Sequence, residues 1–275
     1  MAYTYPGEGS LDYFPCRYGR SKLMFRGPRR DLTQPYVAVF GGTETYGKFL
    51  PLPYPALVEA ALGLPMVNLG CVNAGTDVYL NDPAVIEIAA KARAAVIQIT
   101  GAANLTNRFY AVHPRRNDRF LRAAPLLQTI FREVDFTEFH FTRHMLRTLS
   151  AVSPEKFEVL AEELRAAWVA RMKLLISRLP TRVVLLWVAD HAPVAPGRQG
   201  DVAHDPLLVD ADMIATLRPL VSGYVEAVAS PAARACGTEG MRFSALDEPA
   251  AQGLPGPAVH AEVATALARA LSDLV

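Results

Sequence analysis

The sequence predicts an α/β fold, a three-layer sandwich in which helices cover both faces of a central parallel sheet of about five strands. Short apolar runs that are rich in β-branched residues alternate along the chain with helical patterns. Such alternation is typical of parallel strands that are joined by right-handed crossovers. In addition, 51% of the 275 residues are hydrophobic, which is enough to bury one large core. We therefore expect a single α/β domain over residues 36–275.

The strands are predicted from apolar runs that turn residues bound on both sides. These runs are 37–40, 66–69, 95–99, 183–188 and 224–228. Helical patterns separate or follow them at 54–62, 83–93, 154–178, 209–221 and 259–274. The longest helix begins after Ser153, a residue type that often caps helices, and carries glutamates in its early turns. Each strand is thus followed by a segment able to cover the sheet.

Two segments depart from this alternation. Residues 1–35 are rich in glycine, proline, aromatic and arginine residues without a regular period, and they predict an N-terminal arm that packs on the domain. Residues 104–153 are crowded with phenylalanine, histidine and arginine, and they predict an insertion that forms a helical lid. Because ligands of open parallel sheets bind beyond the carboxyl ends of the strands, this insertion is well placed to cover a site.

Composition argues against several classes of partner. The 28 basic and 27 acidic residues leave a net charge of +1, so no global charge favours nucleic acid or a membrane surface. The chain starts without a basic and apolar leader pattern and has no run of about 18 apolar residues. We therefore expect a cytoplasmic protein that acts on a small-molecule substrate and does not bind nucleic acid or membranes. The sequence is compatible with a monomer or a homo-oligomer. Three widely spaced cysteines are typical of reduced thiols.

Cofactor and metal motifs are also missing from the sequence. The two glycine-rich nucleotide-binding motifs, GxGxxG and GxxxxGK(S/T), do not occur. His140 and His144 have a spacing that is compatible with a metal, but no third ligand accompanies them. We therefore expect no cofactor and no metal.

The turn after the first strand is the first candidate site. In the stretch 37–70, VAVFGGTETYGKFLPLPYPALVEAALGLPMVNLG, Thr43 follows a glycine pair at the start of a helix. A helix start offers amide donors and positive partial charge to an anion or oxyanion. Thr43 is therefore a candidate nucleophile, and a helix cap or a ligand contact is the alternative. We expect its neighbours Gly42, Glu44 and Tyr46 to contact the ligand.

This stretch resembles the first block of the GDSL, or SGNH, hydrolase family, where a strand ends in Gly-Asp-Ser and the serine attacks an ester carbonyl. Here Gly41, Gly42 and Thr43 stand at those positions. The resemblance implies an SGNH-type, flavodoxin-like sheet in a divergent bacterial member of the superfamily. It also implies a hydrolase or acyltransferase that acts on ester bonds of a small anionic or sugar-like substrate, with Thr43 replacing serine. The alternative is a non-hydrolytic member that binds an anionic ligand.

The resemblance extends to the oxyanion donors of the family. Its second block supplies a glycine amide, for which Gly75 in NLGCVNAGTDV is the best match, with Asn73 facing the same pocket. Its third block reads Gly-x-Asn-Asp, whereas this chain has Ala103 at the asparagine position and Asn104 one residue later. Asn104 serves the oxyanion if the loop is longer by one residue, or else it bonds its own loop.

The last family block, Asp-x-x-His, implies that His260 is the general base. A capping or core histidine at the start of the last helix is the alternative. Pro257 stands at the aspartate position, so the residue that would orient the imidazole is missing. Asp190, at the end of the fourth predicted strand, is a candidate acid or base from another direction. A solvated junction between strand and loop is the alternative for Asp190.

Basic residues form the last candidate group. Arg26 of the arm and His113, Arg115 and Arg116 of the insertion could approach the first turn. Because guanidinium groups bind carboxylate, phosphate or sulfate in a bidentate manner, these residues suggest an anionic substrate. Surface arginines that pair with nearby acids are the alternative.

Overall fold

Five parallel strands form the central sheet of the structure, a computed structural model that describes residues 11–195, 202 and 204–275. They are β1 Val37–Phe40, β2 Met66–Asn68, β3 Ala94–Gln98, β6 Arg182–Ala189 and β7 Gly223–Val228, while β4 Tyr110–His113 and β5 Arg116–Ala123 form a separate antiparallel hairpin. The strand order is β2-β1-β3-β6-β7, and every neighbouring pair is parallel. The predicted α/β class with a five-stranded parallel sheet is confirmed.

Helices cover both faces of this sheet. The helices in the described residues are α1 Thr43–Tyr46, α2 Tyr54–Leu62, α3 Thr76–Leu80, α4 Pro83–Ala90, α5 Pro125–Ile130, α6 Thr142–Val152, α7 Pro154–Ser177, α8 Ala211–Leu217, α9 Pro231–Ala235, α10 Glu248–Gln252 and α11 Pro257–Ser272. One apolar core joins the sheet to α2 and α11, and a larger one joins it to α3, α4, α7 and α8. The result is three layers, as predicted.

The sheet order places the strand ends where a site can form. The side on which strands are added to the sheet changes between β1 and β3. The chain places β2 on one side of β1 and then returns to place β3 on the other side. In doubly wound sheets this switch point leaves a crevice at the carboxyl ends of the two strands. The segments that follow β1 and β3 therefore border one space.

The insertion at 104–153 is only partly the helical lid that the sequence predicted. It contains α5 and all of α6, but also the β4–β5 hairpin, which the sequence did not predict. Asn117 of β5 is fully buried and fixes the hairpin, because its Oδ1 accepts the amides of Gly75 and Val78 at 3.2 and 3.0 Å. Thus the insertion packs against α3 and α7 rather than standing apart from the domain.

The described part of the predicted arm also contacts the domain. Tyr18, Leu23 and Phe25 are buried within the larger core. Cys16 and Phe25 exchange backbone hydrogen bonds of 2.9 Å in both directions, which folds this segment back on itself. Residues 1–10 of the arm lie outside the described residues. Among the helices of the described residues, none has the length and apolarity needed to span a membrane.

Candidate functional site

A cavity of about 1030 Å³ opens at the carboxyl ends of β1, β3 and β6. Its polar lining consists mainly of Thr43, Glu44, Asn73, Gln98, Asn104, Asp118, Arg143, Asp190, His204, Asp205 and Arg234. Six residues that were predicted from the sequence therefore meet here: Gly42, Thr43, Glu44, Asn73, Asn104 and Asp190. Cavities of this size at a switch point are typical binding sites for small molecules.

Gln98, the last residue of β3, organises the turn that carries Thr43. Its side-chain oxygen accepts the amides of Gly42 at 3.0 Å and Thr45 at 3.3 Å, and the Thr45 hydroxyl at 2.5 Å. Its amide nitrogen donates to Glu44 Oε2 at 2.7 Å. A Cβ atom on Gly41 would lie 1.9 Å from Thr45 Oγ1, so only glycine permits this close approach. Gly41 therefore allows the turn to pack closely around the Gln98 side chain.

Thr43 is held by Asn73 on the cavity wall. The Thr43 hydroxyl donates to Asn73 Oδ1 at 3.1 Å and accepts the Asn73 backbone amide at 3.0 Å. Asn73 has a left-handed φ of 56°, a conformation that asparagine tolerates better than most residues. Its side-chain nitrogen donates to Asp118 Oδ2 at 3.2 Å. An amide oxygen is not a base, so this chain of hydrogen bonds orients the hydroxyl without activating it.

The structure corrects the prediction that His260 shares the pocket with Thr43. His260 is 1% exposed and lies in the core between α2 and α11, where its Nδ1 accepts the backbone amide of Tyr54 at 3.0 Å. Its Nε2 is buried without a hydrogen-bond partner among the described residues. Burial, with a smaller contribution from Arg26, lowers the pKa of His260 to about 3. The ring is therefore a neutral core group, and its accepting nitrogen is already occupied.

The predicted oxyanion donors have different outcomes. The Gly75 amide donates to the buried side chain of Asn117, so it is not directed at a ligand in the cavity. A Cβ on Gly75 would lie 1.7 Å from the carbonyl oxygen of Asn104, and this close contact explains the glycine. Asn104 lines the cavity, but its Nδ2 donates to Asn73 O at 3.1 Å and its Oδ1 accepts from Thr142 at 2.7 Å. Asn104 thus bonds the loop after β2 and the start of α6 rather than its own loop, while remaining at the wall.

Arg26 and Tyr46 are structural in this fold rather than ligand contacts. The Arg26 guanidinium is buried and donates to the carbonyls of Tyr46, Gly47, Leu50 and Pro51 at 2.6 to 3.3 Å. Tyr46 packs its ring 5.2 Å from that of Tyr13, and burial raises its pKa to about 12. Neither side chain lines the large cavity. Arg26 instead closes the loop that leads from α1 to α2.

The predicted basic cluster of the insertion lies elsewhere. His113, Arg115 and Arg116 occupy the turn of the β4–β5 hairpin, and none of them lines the large cavity. His113 Nδ1 accepts the amide of Arg115 at 3.2 Å. The arginines of the cavity are Arg143 and Arg234, which the sequence interpretation did not single out.

Two charge pairs line the large cavity. Arg143 forms an ion pair with Asp205, and Arg234 Nη1 lies 3.7 Å from Asp190 Oδ2. Burial raises the pKa of Glu44, although the hydrogen bond from Gln98 opposes the shift. A carboxyl group with a raised pKa can donate as well as accept a proton, so Glu44 is a versatile hydrogen-bonding group here.

A family model described as Domain of unknown function (DUF6473) matches residues 1–275. The chain belongs to the DUF6473 family. No curated protein matches the sequence. This family description states no activity, so the functional interpretation of a DUF6473 chain depends on its cavity.

Solved structures similar to this DUF6473 chain include several esterases. A carbohydrate esterase family 2 enzyme with a carbohydrate-binding domain, from Corynascus thermopiles (Myceliophthora fergusii), has 12% identity and a TM-score of 0.45, with 90% of this chain and 69% of that chain covered. The acetyl xylan esterase Est2A from Butyrivibrio proteoclasticus has 10% identity and a TM-score of 0.40, with 91% and 66% covered. A catalytic mutant of an acetylxylan esterase from Geobacillus stearothermophilus has 13% identity and a TM-score of 0.40, with 86% and 94% covered.

Proposed function

We propose that the large cavity binds a small, neutral, polyhydroxylated molecule of the sugar type. The observation that carries this proposal is the lining of the cavity, which offers hydrogen-bond donors and acceptors together while its arginines already face carboxylates. Arg143 pairs with Asp205, and Arg234 lies near Asp190. Hydroxyl groups both donate and accept, so they suit a wall of this kind.

The charge of the wall argues against an anionic ligand. Besides Glu44, whose pKa is raised by burial, the described lining residues include three carboxylates, Asp118, Asp190 and Asp205, and two guanidinium side chains. An anion would therefore meet more negative than positive groups, and it would have to compete for the two arginines. A neutral ligand avoids this cost and still receives hydrogen bonds from both kinds of group.

Phe141 adds an apolar surface to this polar wall. Phe141 lines the cavity and is 44% exposed, so its surface is accessible to a ligand. The guanidinium carbon of Arg119 lies 5.2 Å from the ring centre and supports the ring from outside the cavity lining. The C–H groups on one face of a sugar ring carry small positive charges that suit the negative face of an aromatic ring. Phe141 is thus the stacking platform of the proposed site.

The proposal is tested by calorimetric titration of the full chain with neutral mono- and disaccharides, their acetylated forms, uronic acids and sugar phosphates. We expect saturable binding of a neutral member, weakened about tenfold in Phe141→Ala and retained in Phe141→Tyr, because only alanine removes the platform. Phe14→Ala is the matched control, since Phe14 is 64% exposed and lies outside the cavity. Preference for the anionic sugars, or an equal loss in Phe14→Ala, would contradict the proposal.

Ester hydrolysis or acyl transfer is the second candidate, and the position of Thr43 favours it. The hydroxyl lies on the cavity wall, at the place where the resemblance to SGNH hydrolases puts the nucleophile. Attack on an ester requires a base that takes the hydroxyl proton. Since His260 is buried in the core, Asp190 in the same cavity is the candidate for that role.

This candidate has its own test. Acetate release from a panel of acetylated sugars is measured for the wild type, Thr43→Ala and Asp190→Asn, with the exposed Thr216→Ala as control. Turnover that is lost in Thr43→Ala and Asp190→Asn but kept in Thr216→Ala supports hydrolysis. Wild-type turnover in Thr43→Ala, or none in the wild type, rejects it and leaves the binding proposal to the titrations.

A further inference from the structure

We propose that the chain has a second site, which binds the phosphate-type oxyanion of a small molecule between α7 and the turn of the β4–β5 hairpin. A cavity of about 400 Å³ lies there. None of its lining residues lines the large cavity. The volume accommodates a tetrahedral oxyanion with a few further atoms, at the lower end of the usual range for ligand sites.

One face of α7 supplies the cationic wall. Arg171, Leu174 and Arg178 line the cavity from positions i, i+3 and i+7, which lie on the same side of a helix. Two guanidinium groups, attached two helical turns apart, thus border one cavity. Neither belongs to the charge pairs of the large cavity.

A buried carboxylate fixes the first of these arginines. Asp77 is 6% exposed, its Oδ1 lies 3.0 Å from Arg171 Nε, and its Oδ2 accepts the amide of Thr106 at 2.9 Å. The terminal nitrogens of Arg171 make no hydrogen bond to any residue of the described part of the chain. The ion pair with Asp77 keeps the Arg171 guanidinium at the cavity, although its buried Nε makes no hydrogen bond within the described residues. Its terminal donors remain for another acceptor, as bidentate oxyanion binding requires.

The second arginine also keeps donors for a ligand. Arg178 uses one terminal nitrogen to donate to Leu80 O at 3.1 Å, while its other N–H groups make no hydrogen bond within the described residues. Both arginines therefore line one cavity with terminal donors that an oxyanion can occupy.

The hairpin turn increases the positive charge at this place. Pro114 lines the cavity, and the exposed residues Arg115 and Arg116 follow it directly. Among the described lining residues, Arg171 and Arg178 outnumber the single carboxylate, Asp77, in contrast to the large cavity. Two arginines of the basic cluster that the sequence suggested for an anion thus stand next in sequence to a lining residue, although neither of them lines the cavity.

The test is a titration of the full chain with inorganic phosphate, sulfate and glycerol phosphate at constant ionic strength in chloride. We expect saturable binding that weakens about tenfold in Arg178→Met, with a similar loss in Arg171→Met. Lys173→Met is the matched control, since Lys173 is an exposed cation on α7 outside the cavity.

The outcomes separate a built site from general charge attraction. Tighter binding of glycerol phosphate identifies a phosphorylated molecule as the occupant, and equal affinity identifies the inorganic ion. Absence of saturable binding, or an equal loss in Lys173→Met and Arg178→Met, overturns the proposal. Arg178 is exposed, so its variant gives a result even if Arg171→Met fails to fold.

Discussion

Replacement of Gln98 by leucine should destabilise the protein strongly, because the side chain satisfies buried groups of the Thr43 turn. Gln98 is 5% exposed, and its oxygen is the acceptor for the backbone amides of Gly42 and Thr45. Each buried donor that is left without a partner costs about 1–3 kcal/mol. The Thr45 hydroxyl retains Tyr54 as a partner at 2.7 Å, so we count the two amides only. The free energy of unfolding should fall by about 4 kcal/mol.

Urea unfolding at pH 7, followed by circular dichroism, measures this change. Gln128→Leu is the matched control, because Gln128 is exposed and the same substitution there should change the free energy of unfolding by less than about 0.5 kcal/mol. A loss below about 1 kcal/mol in Gln98→Leu would refute the reasoning. It would mean that the amides of the turn find other partners and that Gln98 does not hold Thr43 at the cavity.

Two further substitutions test the structural roles assigned to predicted site residues. Arg26→Met should lower the free energy of unfolding by about 3 kcal/mol, since four backbone carbonyls lose their donor. In the same urea assay, Arg20→Met is the control and should cause little change, because Arg20 is exposed. Equal losses of stability in the two variants would contradict the structural role of Arg26. For His260, whose pKa falls from 6.5 to about 3, the unfolded chain binds a proton between these values that the folded chain does not, so stability decreases as the pH falls below 6.5. The free energy of unfolding should therefore be about 2 kcal/mol lower at pH 5 than at pH 7. His260→Asn keeps an oxygen for the Tyr54 amide and should lose this part of the pH dependence. An unchanged pH dependence in His260→Asn would argue against a neutral, buried ring.

The fold could be predicted because each strand carries a strong local signal. All residues of Val37–Phe40 and Ala94–Gln98 are buried, which is why they read as continuous apolar runs. The hairpin was missed because β5, Arg116–Ala123, is mostly polar and has four exposed positions. Such a strand is stabilised by its partner and by the buried Asn117, neither of which a local pattern displays.

The candidate site could be predicted where a residue lies within three positions of the end of a strand. Thr43 and Asp190 follow β1 and β6, and parallel strands bring their carboxyl ends to one edge. Gln98 was overlooked within an apolar run, although a polar residue at the end of a buried strand is itself a signal. Asp118, Phe141 and Arg143 come from the insertion, whose path over the sheet depends on tertiary contacts.

His260 was misplaced because the family pattern outweighed the helix period. In α11, His260 shares one stripe with Ala264, Leu267 and Leu271, all of which are buried. This spacing of i, i+4, i+7 and i+11 indicates a core-facing side chain. The pattern was present in the sequence and favours a histidine of the core over a base at the cavity.

The central claim is that Thr43 and His260 do not share a site, and nitrogen NMR of the imidazole of His260 tests it most directly. We predict that the ring remains neutral down to pH 5, with the proton on Nε2 and Nδ1 accepting a hydrogen bond, and that Thr43→Ala leaves its signals unchanged. A ring that takes up a proton near pH 6.5 and responds to Thr43→Ala would contradict the account.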